Sequence, residues 1–85
     1  MVSRTVVIED KYGVHMRPAM RICEEAQKYG ASIYLKVRHV QANAKSVLGL
    51  LAARVRQGDE IEVICDGADE EEALEAVIDV IQSEQ

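Results

Sequence analysis

The sequence contains no Trp and no Phe, and its only aromatic side chains besides histidine are three Tyr. An interior must therefore be aliphatic, built from Val, Ile, Leu, Ala and Met. The cysteines, Cys23 and Cys65, stand far apart in no CxxC arrangement, which speaks against a disulfide framework. Each falls at an apolar-periodic position, so both read as buried thiols in a reducing compartment. No apolar run approaches the ~20 residues of a membrane span. The first residues, MVSRTVVIED, lack the apolar stretch of a secretion signal. A cytoplasmic protein with no membrane insertion is the expectation. There is no basic excess either: the net charge of −5 argues against nucleic acid, which needs a basic surface.

What is present is an ordinary globular composition of 85 residues, enough for one domain spanning residues 1–85. The charge is lopsided. Every Lys and Arg lies between residues 1 and 56, whereas the remainder is rich in Asp and Glu. An acidic protein can thus still offer one electropositive face to a partner.

Residues 2 to 8 alternate Val2, Arg4, Val6 and Ile8 against Ser3, Thr5 and Val7, a half-buried strand pattern. Asp10-Lys11-Tyr12-Gly13 breaks it. From Met16 the period lengthens, with Met16, Ala19, Met20, Cys23 and Ala26 recurring at helical spacing and Gly30 as the stop. Pro18 falls in the first turn, where a missing N–H costs little. Residues 31 to 42 read as two strands in one phase, Ile33, Leu35, Val37, Val40 and Ala42, joined at Arg38-His39. That is poor chemistry for a tight turn, which favours Gly or Asn with positive φ. Ser46 is placed to cap a short helix over Val47 to Ala53. A turn at Gln57-Gly58-Asp59 leads to a strand through Ile61, Val63 and Cys65. Asp69 and Glu72 then resemble a capping box before a helix whose buried stripe is Ala73, Leu74, Val77, Ile78 and Ile81. The order β-α-β-β-α-β-α, alternating in every strand, implies an α+β fold: an antiparallel sheet with helices on one face.

The chemistry concentrates at Gly13-Val14-His15-Met16-Arg17-Pro18-Ala19. It puts His15 at or beside a helix N-cap, where free N–H groups and partial positive charge suit an anion. A phosphate on that imidazole would meet backbone donors and the guanidinium of Arg17, whose fork matches phosphate oxygens. Taken alone, a His and an Arg at a helix start are more often solvated surface residues. His39 lies in a turn with no second ligand near it, and no metal-ligand spacing links it to His15 or the cysteines. Ser46 is explained by capping, although a helix N-terminus also tolerates phosphate. Val47, Leu48, Gly49, Leu50 and Leu51 are more apolar than one buried face requires, which is consistent either with an exposed docking surface or with a helix that packs more deeply. Arg54 and Arg56 read as a solvated rim that favours the helix dipole.

Together these segments become specific. Gly13-Val14-His15-Met16-Arg17-Pro18-Ala19 resembles the G-[LV]-H-x-R-P-A signature of HPr, the histidine-containing phosphocarrier of the bacterial sugar phosphotransferase system. Asn43-Ala44-Lys45-Ser46-Val47-Leu48-Gly49-Leu50 resembles that family's second signature, around its regulatory serine. Gln57-Gly58-Asp59-Glu60-Ile61 and Gly67-Ala68-Asp69-Glu70 are similar to its later segments, so the likeness spans essentially the whole chain. The resemblance implies an open-faced β-sandwich, a four-stranded antiparallel sheet covered on one face by three helices. It implies a carrier that is a substrate of its partner enzymes and not an enzyme itself; no cofactor or metal is expected, and nothing in the sequence requires more than a monomer. His15 would take phosphate on Nδ1 from phosphorylated enzyme I and pass it to enzyme IIA-type proteins. Arg17 would stabilise it, and Ser46 would be the site of an HPr kinase/phosphorylase. Met16, Met20, Val47, Leu48 and Leu51 would form the partner surface. The alternative within the same resemblance is a regulatory paralogue, in a nitrogen-related branch or controlling other proteins through Ser46, uncoupled from sugar transport. Arg38-His39, Met16 and Met20 depart from the family's usual residues.

Overall fold

A computed structural model describes residues 1–83, so the last two positions of the expected 1–85 domain lie outside it. The elements follow the order expected: β1 (Val2–Val7), α1 (Met16–Ala26), β2 (Ser32–Val37), β3 (Val40–Asn43), α2 (Val47–Ala52), β4 (Glu60–Asp66) and α3 (Glu70–Ser83). The strands form one antiparallel sheet in the order β1-β4-β2-β3. Ile33 pairs with Cys65 and Leu35 with Val63, so the alternating apolar residues of β2 and β4 share the face that the helices cover. The opposite face carries residues such as Lys36 and Glu62, paired with each other across the sheet. This is the open-faced sandwich.

The core is aliphatic throughout, with Ile22, Ile33, Leu35, Leu50, Ile61 and Ile78 its largest fully buried side chains. Cys65 is fully buried there, and desolvation pushes its thiol pKa up, away from reactivity. Cys23 differs from expectation. It is only half-buried, and its Sγ lies 3.3 Å from the Lys45 carbonyl at the α1–α2 junction.

Helix α1 also corrects the expected stripe. Its buried residues are Pro18, Ala19, Ile22 and Ala26, whereas Met16 and Met20 are about half exposed, at 55% and 49%. Spacing alone could not decide which of two adjoining apolar rows is buried and which faces out. The helix ends at Ala26, short of Tyr29-Gly30. The chain then leaves through tighter turns, in which the Lys28 and Tyr29 N–H groups donate to Glu25 and Ala26. Val40, expected inward, is 42% exposed because β3 is the short edge strand.

The Arg38-His39 turn does form, between the paired residues Val37 and Val40. Arg38 takes a φ of 53°, the left-handed conformation that usually calls for Gly. Its own side chain braces the turn. The guanidinium donates to the carbonyls of Ala53 at 2.8 Å and Arg54 at 3.0 Å and pairs with Asp59. The Asp59 carboxyl is held below its ordinary range, first by the Arg56 N–H and then by Arg38.

The start of α3 corrects the expected capping box. Asp69 reaches away from its helix, accepting from the Gly30 N–H at 3.0 Å and the Ala31 N–H at 2.9 Å. Those two bonds hold its carboxyl below the ordinary carboxylate range, the Gly30 bond most strongly. The reciprocal contact is made by Glu70, which accepts from the Gly67 N–H, and not by Glu72. The last helix thereby fastens the α1–β2 turn.

Candidate functional site

His15 is the N-cap of α1, with extended backbone (φ −92°, ψ −167°), and its carbonyl accepts the first helical bond from Ala19. Its side chain caps nothing and is 42% exposed. The preceding loop aims it. The Asp10 carboxylate accepts from the Tyr12 N–H at 2.8 Å and the Asp10 carbonyl from the Gly13 N–H at 2.9 Å, an Asx-type turn. Asp10 Oδ2 also lies 3.6 Å from His15 Nε2, too long for a hydrogen bond but close enough to orient that nitrogen. The Tyr12 ring stands edge-on to the imidazole with centroids 5.8 Å apart.

Gly13 makes a second fixed point. It has a φ of 67°, and a Cβ there would come within 2.0 Å of the Val55 carbonyl oxygen. Only glycine allows that approach. The Val14 N–H then donates to the same carbonyl at 3.1 Å, which ties the loop before His15 to the segment after α2. The result is an open depression lined by Tyr12, Val14, His15, Arg54, Val55 and Arg56. Arg17, in the first turn of α1, is exposed on the same helix end. Nothing in the local sequence pattern sets Asp10, Tyr12, Arg54 and Arg56 beside His15. Gly13 was the available signal, since a glycine before a helix often marks a close backbone approach.

Ser46 is the N-cap of α2, and here the side chain does cap. Its Oγ accepts from the Gly49 N–H at 3.0 Å. Lys45, just before it, is anchored by Nζ donating to the Tyr29 carbonyl at 2.7 Å, and the Gln27 amide donates to the Lys45 carbonyl at 2.9 Å. These bonds fasten the start of α2 to the C-terminal end of α1, and the two helices are in contact. Met16, Met20 and Leu48 are exposed, Leu48 at 80%, while Val47 and Leu51 are half-buried against the core. The five apolar residues named from sequence thus divide into three outward and two partly inward.

Residues 2–83 match the family described as the PTS HPr component phosphorylation site. The chain belongs to the HPr family of phosphocarrier proteins. It is 38% identical to the phosphocarrier protein HPr of Mycoplasma pneumoniae over 81 residues, covering 94% of this chain and 92% of that protein. It is 36% identical to the HPr-like protein Crh of Bacillus subtilis over 84 residues, covering 99% of each. Its fold superimposes on a solved histidine-containing phosphocarrier protein from a mycoplasma with a TM-score of 0.96, at 30% identity, covering 98% of this chain and 94% of that one. Among the described residues of this HPr-family protein, no helix is long and apolar enough to cross a membrane.

Proposed function

We propose that this HPr-family protein carries a phosphoryl group on His15 between phosphorylated enzyme I and enzyme IIA-type proteins in sugar uptake, acting as a cytoplasmic monomer. The observation that carries the reading is the half-exposed imidazole at the start of α1, free of any capping duty and turned with Nε2 toward Asp10. That orientation favours Nδ1 as the nucleophile. Its lone pair forms the new N–P bond as the donor's bond to phosphorus breaks, and the departing electron pair stays with the donor. The reverse exchange then delivers phosphorus to the acceptor. Such transfer asks for positioning and charge neutralisation more than for a catalytic apparatus. The helix start and Arg17 supply both.

Ser46 is the regulatory phosphorylation site in this reading, and Met16, Met20, Val47, Leu48 and Leu51 are the docking patch. A phosphoserine would add about −1.5 to −2 charges at the start of α2, beside that patch, and oppose enzyme I docking by repulsion and desolvation. An HPr kinase/phosphorylase would be the partner for that step. A second reading, a regulator acting through Ser46 without sugar transport, draws support from the likeness to the HPr-like protein Crh. Incubation with active enzyme I and phosphoenolpyruvate separates the two. One added phosphate by intact mass, stable in alkali, labile in acid and absent in His15→Ala, supports the carrier. No uptake of phosphate favours the regulator.

A further inference from the structure

Three groups outside the signature residues stand out: the half-buried Cys23, the acidic rim at the start of α3, and the arginines after α2. The arginines alone meet a chemical partner. Arg54 and Arg56 flank the buried Val55 in the wall of the depression that also contains His15. Their segment cannot drift from His15, because the Val55 carbonyl is pinned by Val14 and closely approached by Gly13. Arg38 fixes it from the other side through the Ala53 and Arg54 carbonyls. Arg54 takes a φ of 54°, a conformation that glycine would adopt at lower cost, yet a long cationic side chain stands there. No hydrogen bond or ion pair engages the Arg54 guanidinium among the described residues. The Arg56 charge bears on Asp59, whose carboxylate is already taken by the Arg56 N–H and Arg38. Both side chains are exposed and open to an incoming anion.

We propose that Arg54 and Arg56 act as positioning residues that hold the phosphoryl group of phosphorylated His15, adding a second cationic wall opposite the helix start. The inference rests on the carrier reading above. A phosphoryl group on an imidazole presents oxygens with nearly two negative charges near neutral pH, and planar guanidinium forks match that geometry. The consequence is specific to this chain. It should retain phosphate more tightly than a carrier with neutral residues at these positions, so the transfer equilibrium with enzyme I leans toward the carrier.

The test compares the full chain with Arg54→Gln, Arg56→Gln and the double variant. Inorganic phosphate is titrated into the unphosphorylated proteins and followed by the His15 ring signals in NMR. The phosphoryl equilibrium and the KM for the carrier are measured with enzyme I and phosphoenolpyruvate. Each substitution should weaken phosphate binding roughly two- to fivefold, the range of an exposed ion pair, and shift the equilibrium toward enzyme I by a similar factor. A double variant matching the unmodified protein in both readouts overturns the proposal. A raised KM with phosphate binding and equilibrium unchanged also overturns it, and assigns the arginines to docking on acidic partner surfaces. If the unmodified protein takes no phosphate from enzyme I, the carrier reading fails, and the inorganic phosphate titration still decides the arginines' role. Should the glutamine variants fold poorly, Arg54→Gly removes the same charge while relieving the positive φ and carries the same measurements.

Discussion

The starts of α1 and α2 are finished in opposite ways. At α2 the Ser46 hydroxyl accepts from Gly49, so the helix end is satisfied from within and Ser46 serves stability. At α1 the side chain of the N-cap His15 makes no capping bond. The start of α3 is a third solution, with Asp69 spending its carboxylate on the distant α1–β2 turn. A capped helix start contributes to folding; an uncapped one leaves its N–H groups and partial positive charge available, which is what the proposed phosphoryl site at His15 requires.

The sharpest way to break this comparison is His15→Ala. It should abolish phosphoryl acceptance from enzyme I while leaving the melting temperature nearly unchanged; a large loss of stability would show that His15 is structural after all. Next in size is Ser46→Asp. Asp also caps well, so the fold should hold, while the new charge beside the docking patch slows His15 phosphorylation roughly tenfold in stopped-time transfer assays. Unaltered kinetics would detach Ser46 from the docking surface.

Asp69→Ala probes the third helix start through pH. The Asp69 carboxyl is depressed in the folded protein, so its ionised form contributes stability that is present above the ordinary carboxylate pKa of about 4 and lost as pH falls through the folded value. The melting temperature of Asp69→Ala should therefore lie well below that of the unmodified protein at neutral pH, with the gap narrowing under acid. A gap independent of pH would mean that the bonds to Gly30 and Ala31 do not depend on the charge. The smallest effect is Ser46→Ala, which removes one cap. It should cost about 1 kcal/mol, or roughly 4–8 °C for a domain of this size, by thermal melting, without the kinetic penalty of Ser46→Asp.

Much of this was legible beforehand because it depends on near neighbours. Alternation in Ile33, Leu35 and Val37 marks a strand whatever it packs on, and Ser46 three residues before Gly49 marks a cap. His15 directly before the helical period of α1 marks the candidate site. Most of the readings that failed needed a partner distant in sequence. Met16 and Met20 have the same spacing as the buried row, and only the packed fold shows that Pro18, Ala19 and Ile22 are the residues it covers. Asp69 has the local pattern of a cap, whereas its bonds to Gly30 and Ala31 cross 39 and 38 positions. Arg38 looked unsuited to a tight turn until its acceptors on Ala53, Arg54 and Asp59 were brought near.

The sequence by itself determined the order and type of the elements, the aliphatic core, the position of His15 at a helix start and the family to which the chain belongs. Each follows from patterns within a few residues, where backbone period and capping chemistry act directly. The tertiary structure alone decided which apolar row of α1 faces outward, how the Arg38 turn is tolerated, and that Arg54 and Arg56 border His15. These depend on chain segments meeting across the fold, as when Gly13 lets the Val55 carbonyl come close, and no local pattern records which segments will meet.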